Sequence, residues 1–471
     1  MTATWLLVVV GWIVAPAELR AEGGVGSSRV SVFQIPRVAD GEGVKLGQSS
    51  SEFHGGIALP VGVDTNVFNE NRREDPRAAA YLYPSLWLSV GNRNVVNGLL
   101  QSPPERTARI VDYSIGLIGG FRQYLARDPL IRRQPKLSAG TQLRATFLPG
   151  RRLSIHLSED FFRGANPGNI EAEPNTINFN RIDHDGSLVF EGRPGGGRLS
   201  LSLGYRNRIV RFQSGDIART MDRTSHGLIH ETKWRFFPKS ALVFRYDFDF
   251  TFYTCCKAVG TGRNEDSYSH RLMGGYRGQS FKKLAFDILV GWGFGYYRDD
   301  PNGPNFNSFV GEVGMYYYPT LRTMVHLAAF RNFSDSLWGN YFVNNGGRLA
   351  ASHQFRWRMI GHVGLAAMGR TYHGLPAGTD SGFEPVEDMD INHYEGRGSD
   401  RLQERTVLFS LDAGFDQPLG RIFALGVNYT LMMDAANYRV IYNRTDINGN
   451  NFVDELGYTK HLVWLIAAIR I

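Results

Sequence analysis

The sequence predicts an all-β fold: a transmembrane antiparallel up-and-down β-barrel of about 18 strands, with short periplasmic turns and long extracellular loops. In the segment that shows this best, large apolar residues occupy every second position from Leu242 to Phe252, and mainly polar or ionic residues lie between them. Because successive side chains of a strand point to opposite faces, this segment has one apolar and one largely ionic face. Similar alternation recurs about eighteen times along the chain, with turn residues between, which is typical of a barrel that crosses an outer membrane.

The composition agrees with strands rather than helices in the membrane. The chain has 471 residues, of which 42% are hydrophobic and 21% charged, and its mean hydropathy is -0.26. A barrel turns only alternate residues toward lipid, so such a value is compatible with it. After the N-terminus, no stretch reaches the roughly 18 apolar residues of a spanning helix. The 52 basic and 45 acidic residues are scattered rather than arranged in a stripe, so no nucleic-acid partner is predicted.

The N-terminus predicts an export signal. Trp5 to Val14 is a ten-residue apolar run, and Ala15-Pro16-Ala17 follows with small residues suited to signal-peptidase cleavage. An anchor helix is the alternative, but the run is short for one. The predicted organisation is therefore a signal peptide over 1–17, a Gly- and Ser-rich flexible periplasmic lead-in over 18–51, and the barrel over 52–471.

The connections alternate in length. Tight turns rich in Pro and Gly, such as Pro149-Gly150 and Pro238-Lys239, alternate with long polar segments such as His373–Asp400. Short turns on one side and long loops on the other are typical of outer-membrane barrels. The exception is Arg93–Arg109, which is long where a short turn is expected. Either a neighbouring strand extends further there, or a small periplasmic feature lies in this segment.

Aromatic residues cluster at the ends of strands, and the Tyr316-Tyr317-Tyr318 run before Pro319 is an example. These clusters indicate interfacial girdles, although aromatic residues also favour strands in general. The competing fold is a soluble propeller or sandwich. A propeller would show a repeat of roughly 40–50 residues, and the chain has no such repeat.

The ionic faces of the strands predict the residues that line the interior. Both signs of charge occur, and a barrel of about eighteen strands is wide enough to hold a water-filled channel. As a set these side chains indicate passage of a polar solute, while any single one of them is better explained as a solvated, paired residue without a role in selectivity. Glycines at 291, 293 and 295 also face inward, where they favour strand curvature or leave space. The predicted inward residues are Arg144, His156, Asp160, Arg206, Arg208, Lys233, Arg235, Arg245, Asp247, Asp249, Asp287, Asp412, Asp416 and Asn428.

One loop resembles the calcium loop of EF-hand and dockerin modules. Asp446, Asn448, Asn450 and Asp454 place oxygen ligands at positions one, three, five and nine of the segment. Asn451 stands where such loops have a glycine, and Gly457 where they have an acidic ligand. A weak extracellular Ca²⁺ site is therefore one hypothesis, and an ordinary Asn- and Gly-rich turn is the other. No other cofactor is predicted.

Two further segments leave alternatives open. The longest loop carries Glu384, Glu387, Asp388, Asp390 and Glu395, which could fold into the lumen, bind divalent ions among surface lipids, or simply be solvated. The adjacent Cys255 and Cys256 could form a strained disulfide, stay as free thiols, or pair between molecules. No nucleophile, base and metal-ligand pattern stands out, so an enzyme is not predicted.

The segment Gly62-Val63-Asp64-Thr65-Asn66-Val67-Phe68 contains the element D-x-N-V-F at the end of the first strand. In this it resembles a family of outer-membrane β-barrel porins that includes polysaccharide-export barrels. The resemblance implies a channel in the bacterial outer membrane that exports a secreted polysaccharide, in contact with outer-membrane lipid and aided by a periplasmic polysaccharide-export partner.

The last strand is similar to the signal that barrel-assembly machinery reads, because apolar residues alternate from Val463 to Ile471. It ends in Ile471, where that signal usually has an aromatic residue. A diffusion porin for small polar solutes is the main alternative function. A plugged surface adhesion or structural barrel is an alternative from another class.

Overall fold

The structure is a computed structural model. It describes residues 43–47, 51–69, 76–92, 110–134, 136–165, 180–213, 222–254, 266–298, 304–336, 340–374, 391–396, 405–436, 438–445, 451–455 and 457–471. The predicted signal peptide lies outside these residues. Within the described part of the chain, no helix is both long enough and apolar enough to cross a membrane.

Eighteen strands form the barrel, which is the predicted number. They are β1 Glu52–Asp64, β2 Ala79–Leu82 with Ser85–Gly91, β3 Val111–Phe121 with Gln123–Leu125, β4 Leu137–Phe147, β5 Leu153–Ala165, β6 Asn180–Gly192, β7 Leu199–Phe212, β8 Arg223–Phe237, β9 Ser240–Tyr253, β10 Ser267–Phe281, β11 Leu284–Tyr297, β12 Phe306–Thr320, β13 Thr323–Asp335, β14 Tyr341–Gln354, β15 Ile360–His373, β16 Arg405–Leu419, β17 Phe423–Ala436 and β18 Tyr458–Arg470.

Four kinds of smaller element accompany the barrel. A short helix, α1, spans Pro129–Arg132, and 3-10 turns span Pro194–Gly196 and Arg356–Arg358. Val44–Lys45 pairs with Glu52 and Phe53, so two residues of the predicted lead-in are ordered against β1. Residues from the β15–β16 and β17–β18 loops form a separate three-stranded sheet. Its strands are Ile391–Gly396, Tyr438–Thr445 and Asn451–Glu455.

The barrel is closed by its first and last strands. Consecutive barrel strands pair antiparallel around the sheet, and β1 pairs with β18 from Gly56↔Arg470 to Asp64↔Leu462. Closure leaves no strand edge running the length of the wall, which is what a backbone in lipid requires. The predicted closed antiparallel barrel is thereby confirmed.

The two faces of the wall differ as the alternation predicts. In β9, Leu242 is 46% and Phe244 44% exposed on the outside, whereas Val243 is 3% and Asp247 0% exposed on the inside. The same outward exposure of large apolar side chains recurs around the barrel, as at Leu203, Leu327 and Leu465. Water is a poor solvent for so large an apolar surface, so hydrocarbon must cover it.

The two ends of the barrel also differ. Seven short turns, at 148–152, 193–198, 238–239, 282–283, 321–322, 355–359 and 420–422, lie at one end, here called the turn end. The connection between Gly91 and Val111 lies at the turn end as well, and residues 93–109, the long exception noted in the sequence, lie outside the described part. The remaining connections lie at the opposite, loop end.

Candidate functional site

The interior of the barrel carries a continuous field of charged side chains. Strand pairing aligns residues of equal facing in rows, because directly opposed residues of an antiparallel pair share a face. One such row runs through Ser187, Arg206, Gly227, Asp249 and Ser269 on five successive strands. The alternation of the sequence is thus converted into an ordered inner surface.

Asp249 is the most connected charge of this row. Arg206 of β7 reaches past β8 to bind it, and Nη1 of Arg271 lies 3.3 Å from its other oxygen. The reach is allowed by Gly227, where a Cβ atom would lie 2.5 Å from Oδ1 of Asp249. The carboxylate of Asp249 on β9 therefore binds Arg206 of β7 across β8 and Arg271 of the neighbouring β10. Charge-assisted contacts of this kind are strong and directional.

The other predicted inward charges of β4 to β11 are mostly paired as well. Arg144 binds Asp160 at 2.6 Å, Arg208 binds Asp185 at 2.6 Å, and Lys233 binds Glu231 at 2.6 Å. Further predicted residues pair in Arg245–Asp247 at 2.9 Å, Arg277–Asp287 at 3.1 Å and His156–Glu191 at 3.1 Å. Beyond this region, Arg348 of β14 binds Glu312 of β12 at 2.8 Å. Arg235 lies opposite Ala241 near the turn end. The wall therefore holds both signs at fixed positions.

A second polar cluster lies on β15 to β17. Asp412 accepts hydrogen bonds from Thr430 Oγ1 at 2.8 Å and Asn428 Nδ2 at 3.3 Å, and its other oxygen lies 3.2 Å from His362 Nε2. Asp416 lies two inward rows nearer the turn end, opposite Ile360. The structure thus brings Asp412 and Asn428 together but keeps them apart from the arginine-rich group. The role of all these residues in solute passage stays a prediction.

Sequence reasoning missed several inner partners. Glu231, Arg271, Arg277, Glu312 and Arg348 complete the pairs described above. Each of them lies in the same alternating phase as an inward residue of its own strand, so the alternation could have found them. The ion-pair partner of each residue depends on contacts between strands, and the periodicity of a single strand holds no information on those contacts.

At the loop end, the tip of the β13–β14 hairpin leaves the wall. β12 pairs with β13 only as far as Gly311↔Arg331, whereas β13 and β14 stay paired to Asp335↔Tyr341. The edge of β12 over Phe306–Val310 therefore has no ladder partner on β13. At the branch, Arg331 donates to the carbonyl of Phe309 at 3.1 Å and to Asn345 at 2.6 Å.

Burial shows where the tip goes. A wall strand leaves one face outside, but four consecutive residues of β14 are covered: Tyr341 is 6%, Phe342 9%, Val343 5% and Asn344 1% exposed. On β13, Phe333 is 0% exposed. Coverage on both faces means that residues 332–336 and 340–344, here called the inner hairpin, lie inside the barrel.

Phe333 seats the inner hairpin on the inner wall of β10 to β12. Its ring stacks on Phe306 with centroids 3.9 Å apart, and the guanidinium of Arg271 lies 4.4 Å from its centroid. Gly293 and Gly295 leave the space, because Cβ atoms there would lie 2.7 Å and 2.9 Å from the ring. Two of the three inward glycines predicted from the sequence thus accommodate a side chain from another strand.

Polar contacts hold the same seat. Asp335 accepts hydrogen bonds from Ser267 Oγ at 2.7 Å and from Tyr297 OH at 3.3 Å, and Arg271 Nη2 donates to the carbonyl of Phe333 at 3.1 Å. Tyr341 stacks on Tyr297 with centroids 5.7 Å apart. The inner hairpin therefore narrows the loop end of the lumen from the side of β10 to β12.

A second group of buried side chains covers the opposite side of the loop end. The guanidinium of Arg122, where β3 is interrupted, lies 4.8 Å from the ring of Tyr83 and donates to Tyr124 OH at 3.2 Å. Ile131 of α1 and Phe162 of β5 are buried in the same cluster. Cation–π contacts and burial make this group a fixed part of the wall.

The D-x-N-V-F element closes the barrel seam. Asp64 binds Lys460 of β18 at 3.0 Å, and both side chains are at most 5% exposed. Asn66 donates from its backbone to Asp64 at 3.0 Å and from Nδ2 to the carbonyl of Thr459 at 3.3 Å. Val67 is buried beside them. The residues behind the family resemblance thus join the first strand to the last.

The candidate calcium loop cannot be placed in full. Asp446, Asn448 and Asn450 lie outside the described residues, and Asp454 is placed only as backbone in the strand Asn451–Glu455. Among the described residues, no group of His, Cys, Asp and Glu side chains could hold a metal ion. Cys255 and Cys256 also lie outside the described residues, as do Glu384, Glu387, Asp388 and Asp390.

A closed antiparallel barrel with an apolar outside, an ionic inside, short turns at one end and long loops at the other defines the class of this protein. It is an integral β-barrel of the bacterial outer-membrane type.

Three solved structures illustrate the likeness. OccK1 (OpdK) of Pseudomonas aeruginosa is 11% identical with a TM-score of 0.41, covering 89% of this chain and 98% of that one. OpdQ of the same species is 8% identical with a TM-score of 0.41, covering 89% and 97%. The P. aeruginosa siderophore receptor PirA is 8% identical with a TM-score of 0.38, covering 89% and 80%. Values this low transfer no solute or activity. No protein-family model and no curated protein matches the chain.

Proposed function

We propose that the chain forms a hydrated outer-membrane channel for small polar solutes and that the inner hairpin sets its narrowest cross-section. The observation that carries this proposal is the seat of Phe333 and Asp335 on the inner wall of β10 to β12. Barrels of 16–18 strands are wide enough to leave an aqueous channel, so an inserted segment determines what passes.

The paired charges around the hairpin suit passage of polar solutes. Arg206, Asp249 and Arg271 hold opposite charges at fixed places, so a solute with hydroxyl, carboxylate or amine groups meets both donors and acceptors. Because both signs of charge lie at fixed places, the wall attracts polar groups without trapping one charge type. The proposal is therefore a diffusion channel with weak selectivity.

The test is single-channel conductance in planar bilayers. The double variant Phe333→Ala/Asp335→Ala removes the ring and the carboxylate that seat the hairpin. We expect its conductance to rise at least about twofold over the wild type, because the cross-section at the loop end widens. Leu327→Ala is the matched control, since Leu327 lies on the same strand but on the outer face, 47% exposed.

Two outcomes would contradict the proposal. If wild type and double variant both pass no current, the barrel is plugged, and a surface adhesion or structural role replaces the channel. If the wild type conducts and the double variant conducts equally, the hairpin does not set the cross-section. A heat-dependent shift in gel mobility, retained by each variant, verifies that the barrel has folded.

Polysaccharide export is the finer hypothesis, and its support is the D-x-N-V-F resemblance alone. Because that element joins β1 to β18 through Asp64 and Lys460, it concerns barrel closure and gives no information on the cargo. Deletion of the gene followed by an assay of surface polysaccharide tests it. An exporter requires loss of the polymer together with dependence on a periplasmic partner, whereas a diffusion porin leaves the polymer in place.

A further inference from the structure

The seven short turns at the turn end carry charge of one sign. Each of the seven short turns contains at least one Lys or Arg, and none contains Asp or Glu. The longest loop at the other end, 374–404, has eight acidic and two basic residues in its sequence. The turn cations are Arg151, Arg152, Arg193, Arg198, Lys239, Lys282, Lys283, Arg322, Arg356, Arg358 and Arg421, here called the basic rim.

Most of the basic rim is exposed beside apolar side chains. Of the rim residues, only Arg193 is half-buried, against Glu191. Leu321, next to Arg322, is 82% exposed, and Trp357, between Arg356 and Arg358, is 83% exposed. Phe281, beside Lys282, is 65% exposed. Cations therefore alternate with apolar side chains at the tips of the turns.

The rim also extends over most of the barrel's circumference, from β4 to β17. The seven turns connect successive strand pairs from β4–β5 to β16–β17. They lie along the border of the outer apolar surface at the turn end. A single acidic protein would contact one sector of the rim and leave the cations of the other sectors without a binding partner. Cations in every described short turn, contiguous with the lipid-facing wall, match a ring of lipids instead.

We propose that the basic rim binds the anionic headgroups of phospholipids in the periplasmic leaflet, with phosphatidylglycerol and cardiolipin as the chemical class. Lys and Arg side chains donate to phosphate oxygens, and Arg does so with two parallel N–H groups. Exposed Trp, Phe and Leu beside them lie at the boundary between headgroups and acyl chains. Basic clusters at a membrane surface attract anionic lipid in this way.

The rim variant is Lys239→Gln/Arg322→Gln/Arg356→Gln, which removes one exposed cation from each of three turns. The matched control is Arg127→Gln/Arg132→Gln/Arg133→Gln, which removes three exposed cations from the loop end around α1. Both variants change the net charge equally, so any difference reports position and not total charge.

The measurement uses vesicles of phosphatidylglycerol and phosphatidylcholine with spin-labelled probes of each lipid. Electron paramagnetic resonance then gives the relative association of the two lipids with the barrel. We expect the wild type and the loop-end control to prefer phosphatidylglycerol by about threefold or more. The rim variant should approach equal association, and so should the wild type at 1 M salt, where the Debye length falls to about 3 Å.

Three results would overturn the proposal. The first is a wild type without preference between the lipids, and the second is a rim variant that keeps the wild-type preference. The third is a rim variant that loses binding of poly-glutamate in detergent while its lipid preference is unchanged, because the rim would then be a dock for an acidic protein. The salt dependence of the wild type keeps the test valid even if a variant fails to fold.

Discussion

The two ends of this barrel follow different rules although the same alternating strands reach both. At the turn end neighbouring strands stay paired up to short connections, with register shifts just before three of the turns, and the side chains at the tips are exposed cations and apolar residues. At the loop end, β13 and β14 leave β12 after Gly311↔Arg331, and aromatic rings become buried inside the barrel. The comparison teaches that strand periodicity specifies the wall, while packing between distant strands specifies the lumen.

The largest expected effect contrasts one buried and one exposed side chain. Phe333→Ala should destabilise the seated inner hairpin by about 3–5 kcal/mol, because a fully covered aromatic ring is lost. Amide hydrogen exchange in peptides covering 340–344 should then accelerate by about a hundredfold or more. Leu321→Ala at the turn end should leave exchange there within about twofold, because an exposed side chain contributes little. Similar acceleration in both variants would remove the distinction between the ends.

The next effect concerns the seam, where β1 pairs with β18 to close the barrel. Different interactions stabilise the two ends of this seam. At the loop end it contains the buried Asp64–Lys460 pair, whereas at the turn end backbone bonds join Gly55 and Ile471. Asp64→Asn should lower the free energy of unfolding by about 3 kcal/mol, because it leaves a buried ammonium uncompensated. Denaturant midpoints in detergent micelles measure this.

The control for the seam is the double variant Asp64→Leu/Lys460→Met, which removes both charges. It should recover part of the lost stability, since apolar residues of similar size can replace a buried pair. A double variant that is less stable than Asp64→Asn would show that the pair contributes more than charge compensation.

The smallest effect lies at the turn end and has the opposite sign. Trp357 has a φ of 61°, in the left-handed region that costs an L-residue about 1 kcal/mol. Trp357→Gly should therefore raise stability by about 0.5 kcal/mol, and the reverse change Gly197→Ala, at a φ of 99° with open space around it, should lower it by about 1 kcal/mol. Equal signs for the two variants, measured by the same denaturant midpoints, would mean that backbone strain does not govern these turns.

The wall could be predicted from the sequence because its information is local. Alternation over 242–252 identifies the faces of β9, and the inward positions of Arg245, Asp247 and Asp249 follow from it directly. Strand number and the short turns follow from the same pattern. The pairing of Asp249 with Arg206 does not, because it depends on the missing side chain of Gly227 on the strand between them.

The inner hairpin could not be predicted, because its residues follow the same alternation as the wall strands while the face that points to lipid elsewhere is buried inside the barrel here. Phe333 and Val343 occupy the same phase as Leu327, which faces outward, so the sequence places them in lipid. The bend of β13 away from β12 turns that phase toward the inner wall. The sequence signal for it is the pair Gly293 and Gly295, whose missing side chains leave room for the ring of Phe333, about forty positions further along the chain.

The missing ladder at the edge of β12 has a consequence for how the inner hairpin is held. Residues 306–310 of β12 have backbone groups that an aligned β13 could pair with. The inserted conformation of the inner hairpin therefore competes with one in which β13 stays paired to β12 along its whole length. Arg331, bonded to Phe309 and Asn345 at the fork, lies where the two arrangements divide. Aromatic stacking favours the inserted hairpin, and backbone pairing with β12 favours its withdrawal. A substitution that weakens either interaction should change the width of the loop-end opening and leave the rest of the barrel as it is.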